Sequence, residues 1–140
     1  MNKIISKNAE DTEKFAREIA KSIPLGTVVE LIGDLGAGKT TFAKGFAKGL
    51  GVKGVVTSPT FTLLNTYQGD GVVLNHFDLY RIDDEEELEL MGVKEMFYDT
   101  DSINLIEWPQ IARNLLPQKK YVIEINKIDD KTREIILEKK

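Results

Sequence analysis

The sequence predicts a single α/β domain over residues 1–140, with helices in two outer layers around a mixed β-sheet. Three observations carry this. An apolar, β-branched run near the start leads through a glycine-rich turn into an amphipathic helix. A hairpin signal in the middle of the chain forces antiparallel neighbours into the sheet, so the sheet is not purely parallel. The second half then alternates further strand-like runs with short helical ones, with no repeat, low-complexity tract or linker to divide it.

Lys3–Ser6 reads as a short first strand. Asn8 is a helix N-cap, and Glu10, Asp11 and Glu13 suit the positive end of the helix dipole. Phe15, Ala16, Ile19, Ala20 and Ile23 recur at helical spacing before Pro24 closes the segment. Thr27–Ile32, bounded by Gly26 and Gly33, reads as a buried strand. A second helix over Thr40–Leu50 sets Phe42, Ala43, Phe46, Ala47 and Leu50 on one face, Lys44 and Lys48 on the other, and ends at Gly51. Thr62–Tyr67 and Val72–Asp78 flank the turn Gln68-Gly69-Asp70-Gly71 as a hairpin. Asp84–Met91 is a short acidic helix stopped by Gly92, and Ser102–Glu107 is another buried strand. Pro109 opens a helix that Pro117 ends. Tyr121–Ile128 and Thr132–Leu137 are two strands joined at Asp129-Asp130-Lys131.

The totals exclude several functions. Without cysteine there is no disulfide, thiolate metal site or thiol nucleophile, and one histidine rules out a multi-histidine metal centre. Met1–Lys7 contains no long apolar stretch and no segment approaches a membrane span, so a cytoplasmic protein without a membrane role is expected. The formal net charge of −4, with its densest acidic run at Asp83–Glu87, argues against unaided binding of RNA or DNA.

The chemistry is concentrated in Gly33-Asp34-Leu35-Gly36-Ala37-Gly38-Lys39-Thr40, a full G-x-x-x-x-G-K-[ST] match. Glycines let the backbone wrap closely around phosphates, successive N–H groups form an anion nest, and the following helix presents its positive end. Lys39 is expected on the β- and γ-phosphates and the Thr40 hydroxyl on Mg²⁺, with Thr41 completing the nucleotide-binding set. A strand before the motif and an amphipathic helix after it make the fold P-loop NTPase-like. An acid at a neighbouring strand end must hold the metal or its water. Asp78, after Val72–Phe77, and Glu107, after Ile103–Ile106, both qualify, and the pattern leaves open which one touches Mg²⁺. Thr57-Ser58-Pro59-Thr60-Phe61 stands where a switch segment senses the γ-phosphate, although its composition equally suits an ordinary loop.

Asn126-Lys127-Ile128-Asp129 matches the N-K-x-D pattern that reads guanine, yet it sits in an alternating strand and runs into a turn. No D-x-x-G occupies a switch position, and too little chain follows for a last guanine-contacting loop. ATP is therefore the expected nucleotide. His76 reads as a strand residue rather than a catalyst. Trp108 lies at the active edge or in the core. Arg81 either contacts phosphate or pairs with Asp83 or Asp84, and Glu85–Glu87 is a solvated helix face.

Four stretches together, Gly33–Thr40, Ser58-Pro59-Thr60-Phe61, His76-Phe77-Asp78-Leu79-Tyr80-Arg81 and Ile106-Glu107-Trp108-Pro109, make the chain resemble the bacterial TsaE family, also called YjeE. The resemblance spans nearly the whole chain. It implies a Mg²⁺-dependent ATPase, weak alone, required for N6-threonylcarbamoyladenosine in tRNA. It also implies protein partners, the TsaD–TsaB complex, whose turnover ATP hydrolysis sustains, with tRNA reached through those partners. By the same resemblance Lys39 and Thr40 serve phosphate and Mg²⁺, Thr60 belongs to a switch-like loop, Asp78 and Glu107 surround Mg²⁺ and the attacking water, and Trp108 lies close to the site. The alternative is a small-molecule P-loop kinase. Such kinases carry an arginine-rich lid, whereas the segment after Asp78 is acidic with Arg81 alone.

Overall fold

The computed structural model describes residues 2–140. The chain runs β1 (Asn2–Ser6), α1 (Ala9–Ser22), β2 (Val28–Ile32), α2 (Lys39–Gly49), β3 (Leu64–Gln68), β4 (Val73–Asp78), α3 (Glu85–Leu90), α4 (Lys94–Phe97) and β5 (Ser102–Glu107). A 3₁₀ segment (Pro109–Leu115), β6 (Tyr121–Lys127) and β7 (Arg133–Lys139) complete it. The seven strands form one mixed sheet in the order β1-β7-β6-β2-β5-β4-β3. β6, β2, β5 and β4 run parallel, while β7 and β3 are antiparallel to their neighbours.

Alternation along β2 sends Val29 and Leu31 to one face and Val28 and Glu30 to the other. The first face packs under α1 and α2, where Phe42 and Phe46 stack at 6.1 Å between ring centroids. The second face is covered by α3, α4 and the 3₁₀ segment, and there Phe77 meets Phe97 edge-on at 5.2 Å. This is the expected three-layer sandwich. Asn8 caps α1 by accepting from the Asp11 N–H at 2.8 Å. α2 lies hard against α1: a Cβ added at Gly45 would stand 2.2 Å from the Glu13 carbonyl oxygen, so no larger residue fits.

Three differences from the sequence expectation have local causes. The strand expected over Thr62–Tyr67 starts at Leu64, because Leu63 has φ 70° and its N–H bonds back to the Pro59 carbonyl at 2.7 Å in a turn. The segment after Pro109 is a 3₁₀ rather than an α-helix. It is confined between a left-handed Trp108 and an extended Leu116, the latter being the conformation a residue before proline prefers. α4 went unforeseen, since one turn that buries only Phe97 offers no periodicity to read.

Glu30 is also unexpected, as a carboxylate 1% exposed in the central strand. Its Oε1 accepts from Arg113 Nη2 at 3.2 Å, and the Lys120 ammonium pairs with Oε2. A buried carboxylate of this kind is tolerable only when paired. The two pairs tie the middle and the end of the connection between β5 and β6 to β2.

Candidate active site

The parallel strands all point their C-terminal ends to one edge, which is where open α/β sheets hold ligands. β2 delivers the loop 33–38 there. Gly36 and Gly38 have φ of 80° and 104°, values that L side chains rarely adopt, and they turn the backbone into the start of α2. The Ala37 N–H bonds to the Asp34 carbonyl at 3.0 Å and the Phe42 N–H to the Gly38 carbonyl at 3.0 Å, so the nest and the helix are continuous.

Arg133 on β7 braces this loop and also borders the cavity in front of it. Its Nε donates to the Ala37 carbonyl at 2.8 Å, and Nη1 donates to the Asp129 carbonyl at 2.7 Å. Arg133 clasps the loop to the β6–β7 turn across 96 positions of sequence, and nothing in its local sequence signalled that.

Parallel pairing of β4 with β5 puts Asp78 opposite Glu107, which brings both candidate acids to the same edge and the same face. They are 6% and 4% exposed and border a cavity of ≈ 390 Å³ together with Lys39, Thr40, Thr41, Thr60 and Trp108. Leu35, Gly36 and Gly38 close the same cavity from the loop side, while Gly33 and Asp34 line an adjoining cleft. Ala37 is buried beneath the loop, where Arg133 holds its carbonyl. The glycine-rich loop, Lys39, Thr40, Thr41, Thr60, Asp78, Glu107 and Trp108 therefore lie in one contiguous region.

The carboxylates are held in place. Thr60 Oγ1 donates to Asp78 Oδ2 at 3.1 Å, and the Tyr80 N–H donates to Oδ1 at 3.0 Å. Thr60 thus links the 57–61 loop to the acid. His76 Nε2 lies 2.6 Å from Glu107 Oε2. Lys39 is 7% exposed, and its ammonium has no hydrogen-bond partner among the described residues. It sits on the Trp108 ring instead, 3.7 Å from the centroid. Burial pushes the Lys39 ammonium below the usual lysine range, opposed by the nearby charges of Glu107, Asp78 and Asp34. A buried cation without an acceptor is a place for an anion. Trp108 adopts φ 55°, unusual for a bulky residue, and its ring meets Tyr80 at 4.8 Å.

Arg81 neither reaches the cavity nor pairs with Asp83 or Asp84; its guanidinium stacks on exposed Phe61 at 4.5 Å. Asn126 donates to Glu134 at 3.1 Å across β6 and β7, and Asp129 accepts from the Lys131 and Thr132 N–H groups at 3.0 and 2.8 Å. These N–H donors hold the Asp129 carboxyl below the usual carboxylate range. Both are strand and turn residues, as their alternation indicated, although Asn126 also borders the cleft beside Gly33 and Asp34. A second cleft of ≈ 350 Å³ adjoins Gly38 and Thr41, between Asn8, Ala9 and Thr12 of the α1 start and Asp130, Lys131 and Arg133. Sequence reasoning missed it because its two walls come from opposite ends of the chain.

A family model described as threonylcarbamoyl adenosine biosynthesis protein TsaE matches residues 6–135. The chain belongs to the TsaE family. Among TsaE relatives, the tRNA threonylcarbamoyladenosine biosynthesis protein of Haemophilus influenzae is 44% identical over 84% of this chain and 75% of its own length. That of Bacillus subtilis is 43% identical over 91% of this chain and 79% of its own. The Aquifex aeolicus relative is 37% identical over 100% of this chain and 98% of its own. A crystal structure of Bacillus subtilis YdiB superposes with a TM-score of 0.80 at 37% identity, covering 96% of this chain and 82% of that one. The four stretches that carried the resemblance are those gathered around the cavity, and no helix among the described residues is long and apolar enough to cross a membrane.

Proposed function

We propose that this chain binds and hydrolyses ATP with Mg²⁺ to support formation of N6-threonylcarbamoyladenosine in tRNA, acting on the TsaD–TsaB complex to sustain its turnover. The observation that carries the reading is the buried Lys39 ammonium, without a hydrogen-bond acceptor, at the mouth of a glycine-rich nest and facing Asp78 and Glu107. A polyphosphate satisfies that cation and the nest together.

The oxygen donors suit Mg²⁺. Thr40, Asp78 and Glu107 offer one hydroxyl and two carboxylates at one cavity, and among the described residues no three acids or histidines are placed to hold a metal ion by themselves. Mg²⁺ keeps waters and substrate phosphates as ligands and needs no dedicated protein cage. Thr40 and one carboxylate would hold it, and bound there it would neutralise charge developing on the phosphates. Lys39 and the loop N–H groups orient the phosphates, Asp78 is fixed by Thr60, and Glu107 stands ready to align a water. Trp108 borders the site, with its ring against Tyr80.

The relatives' names support the tRNA-modification role, and the net charge of −4 supports reaching tRNA through protein partners in the cytoplasm. The kinase alternative lacks its lid: the segment after Asp78 is acidic, and Arg81 is engaged with Phe61. Mass spectrometry of nucleosides from bulk tRNA, after depletion and complementation, tests the proposal. Threonylcarbamoyladenosine should fall and return with wild type but not with Lys39→Ala. Unchanged levels after depletion would overturn the pathway assignment.

A further inference from the structure

Beside the two acids, β4 carries a buried side chain, His76. His76 is the only histidine in the chain and is 1% exposed. It pairs with Leu105 across β4 and β5, two positions before the Asp78–Glu107 pair, so it shares their face of the sheet. Its Nε2 lies 2.6 Å from Glu107 Oε2, with the two side chains 2% and 5% exposed. Nδ1 has no partner among the described residues.

These facts select a tautomer. A proton on Nε2 gives the carboxylate its donor, whereas a proton on Nδ1 would be buried with nothing to receive it. The bond also has a direction. Asp78 stands beside Glu107 in register, and two neighbouring carboxylates repel unless each is held. Asp78 is held by Thr60 and the Tyr80 N–H, and Glu107 by His76. Glu107 borders the phosphate cavity, so fixing Oε2 in the core sets the direction in which the other oxygen points.

We propose that His76 is a positioning residue: its Nε2–H locks the Glu107 carboxylate in the orientation that aligns the attacking water. This rests on the ATPase reading above. It goes further in assigning hydrolysis to a pair of residues rather than to Glu107 alone.

The test compares His76→Leu, which removes the donor, with His76→Gln, whose amide can place an N–H near the Nε2 position. ATP affinity by calorimetry and turnover are measured on the full chain, with Glu107→Gln in parallel. His76→Leu should lower kcat about 10- to 100-fold with ATP affinity within about threefold of wild type, as orienting partners of reacting groups generally do. His76→Gln should recover most of that loss, and adding His76→Leu to Glu107→Gln should cost nothing further. Turnover of His76→Leu within about twofold of wild type, or equal impairment of both histidine variants, would overturn the proposal.

Should His76→Leu not fold, the wild type still decides. With one histidine, its ring ¹⁵N shifts report the tautomer directly, and an Nδ1–H form contradicts the proposal. The two levels also separate. Lost turnover in Glu107→Gln but not in His76→Leu defeats this inference alone, while absence of turnover in the wild type with the TsaD–TsaB complex added defeats the ATPase reading as well.

Discussion

The two walls of the phosphate cavity are built differently. One is a single stretch, Gly33–Thr41, whose working parts are backbone N–H groups and one lysine. The other is assembled from three segments, bearing Thr60, Asp78 and Glu107-Trp108, which meet because β4 and β5 pair in one register and Thr60 bonds to Asp78. On the proposed function, the first wall holds phosphate and the second acts on it. A contiguous wall depends on local geometry, so it tolerates change elsewhere. An assembled wall depends on every bond that holds its members together, here Thr60 to Asp78 and His76 to Glu107.

If this division is right, substitutions on the two walls should separate affinity from turnover. The largest effect is expected from Lys39→Ala, which removes the buried cation of the first wall. Calorimetry should show ATP affinity lower by about a hundredfold or more, the scale set by loss of a buried charge partner. Thr60→Ala comes next. It frees Asp78 Oδ2 and should reduce turnover about tenfold, the worth of a hydrogen bond to a charged group, with a smaller change in affinity. Arg133→Ala loosens the first wall, and ATP affinity should weaken about three- to tenfold while turnover of bound ATP changes less.

The smallest effect is a proton. Between the lowered Lys39 value and 10.5 the unfolded chain holds a proton that the folded protein has released. This group's contribution to stability therefore rises with pH across that window, and Lys39→Met should remove the rise in alkaline melting curves. Phosphate beside Lys39 favours the charged form, so ATP binding in the same window should take up protons, seen as a binding enthalpy that varies with buffer ionisation heat.

The contrast between the walls also explains what the sequence could disclose. Gly33–Thr40 was legible because its function needs fixed residue types at fixed spacing in one stretch. Asp78 and Glu107 were legible as strand-end acids, but their mutual placement is a matter of register. The choice of direct metal ligand still turns on which carboxylate is free, and Thr60 already occupies one oxygen of Asp78. The sandwich followed from periodicity, and the hairpin from Gln68–Gly71. Arg133, the Glu30 ion pairs and the cleft beside Asn8 were not legible, because each joins residues far apart in the chain whose own neighbourhoods look ordinary. His76 was visible as a strand residue, while its bond to Glu107 spans 31 positions.

The most direct test of the two-wall account is a pair of measurements on Glu107→Gln: binding of Mg-ATP by calorimetry, then cleavage of the bound nucleotide in a single turnover. The account predicts affinity within about threefold of wild type and cleavage slower by about a hundredfold or more, the range for losing a residue that orients or deprotonates water. Cleavage at the wild-type rate, or affinity lost in step with cleavage, would contradict it.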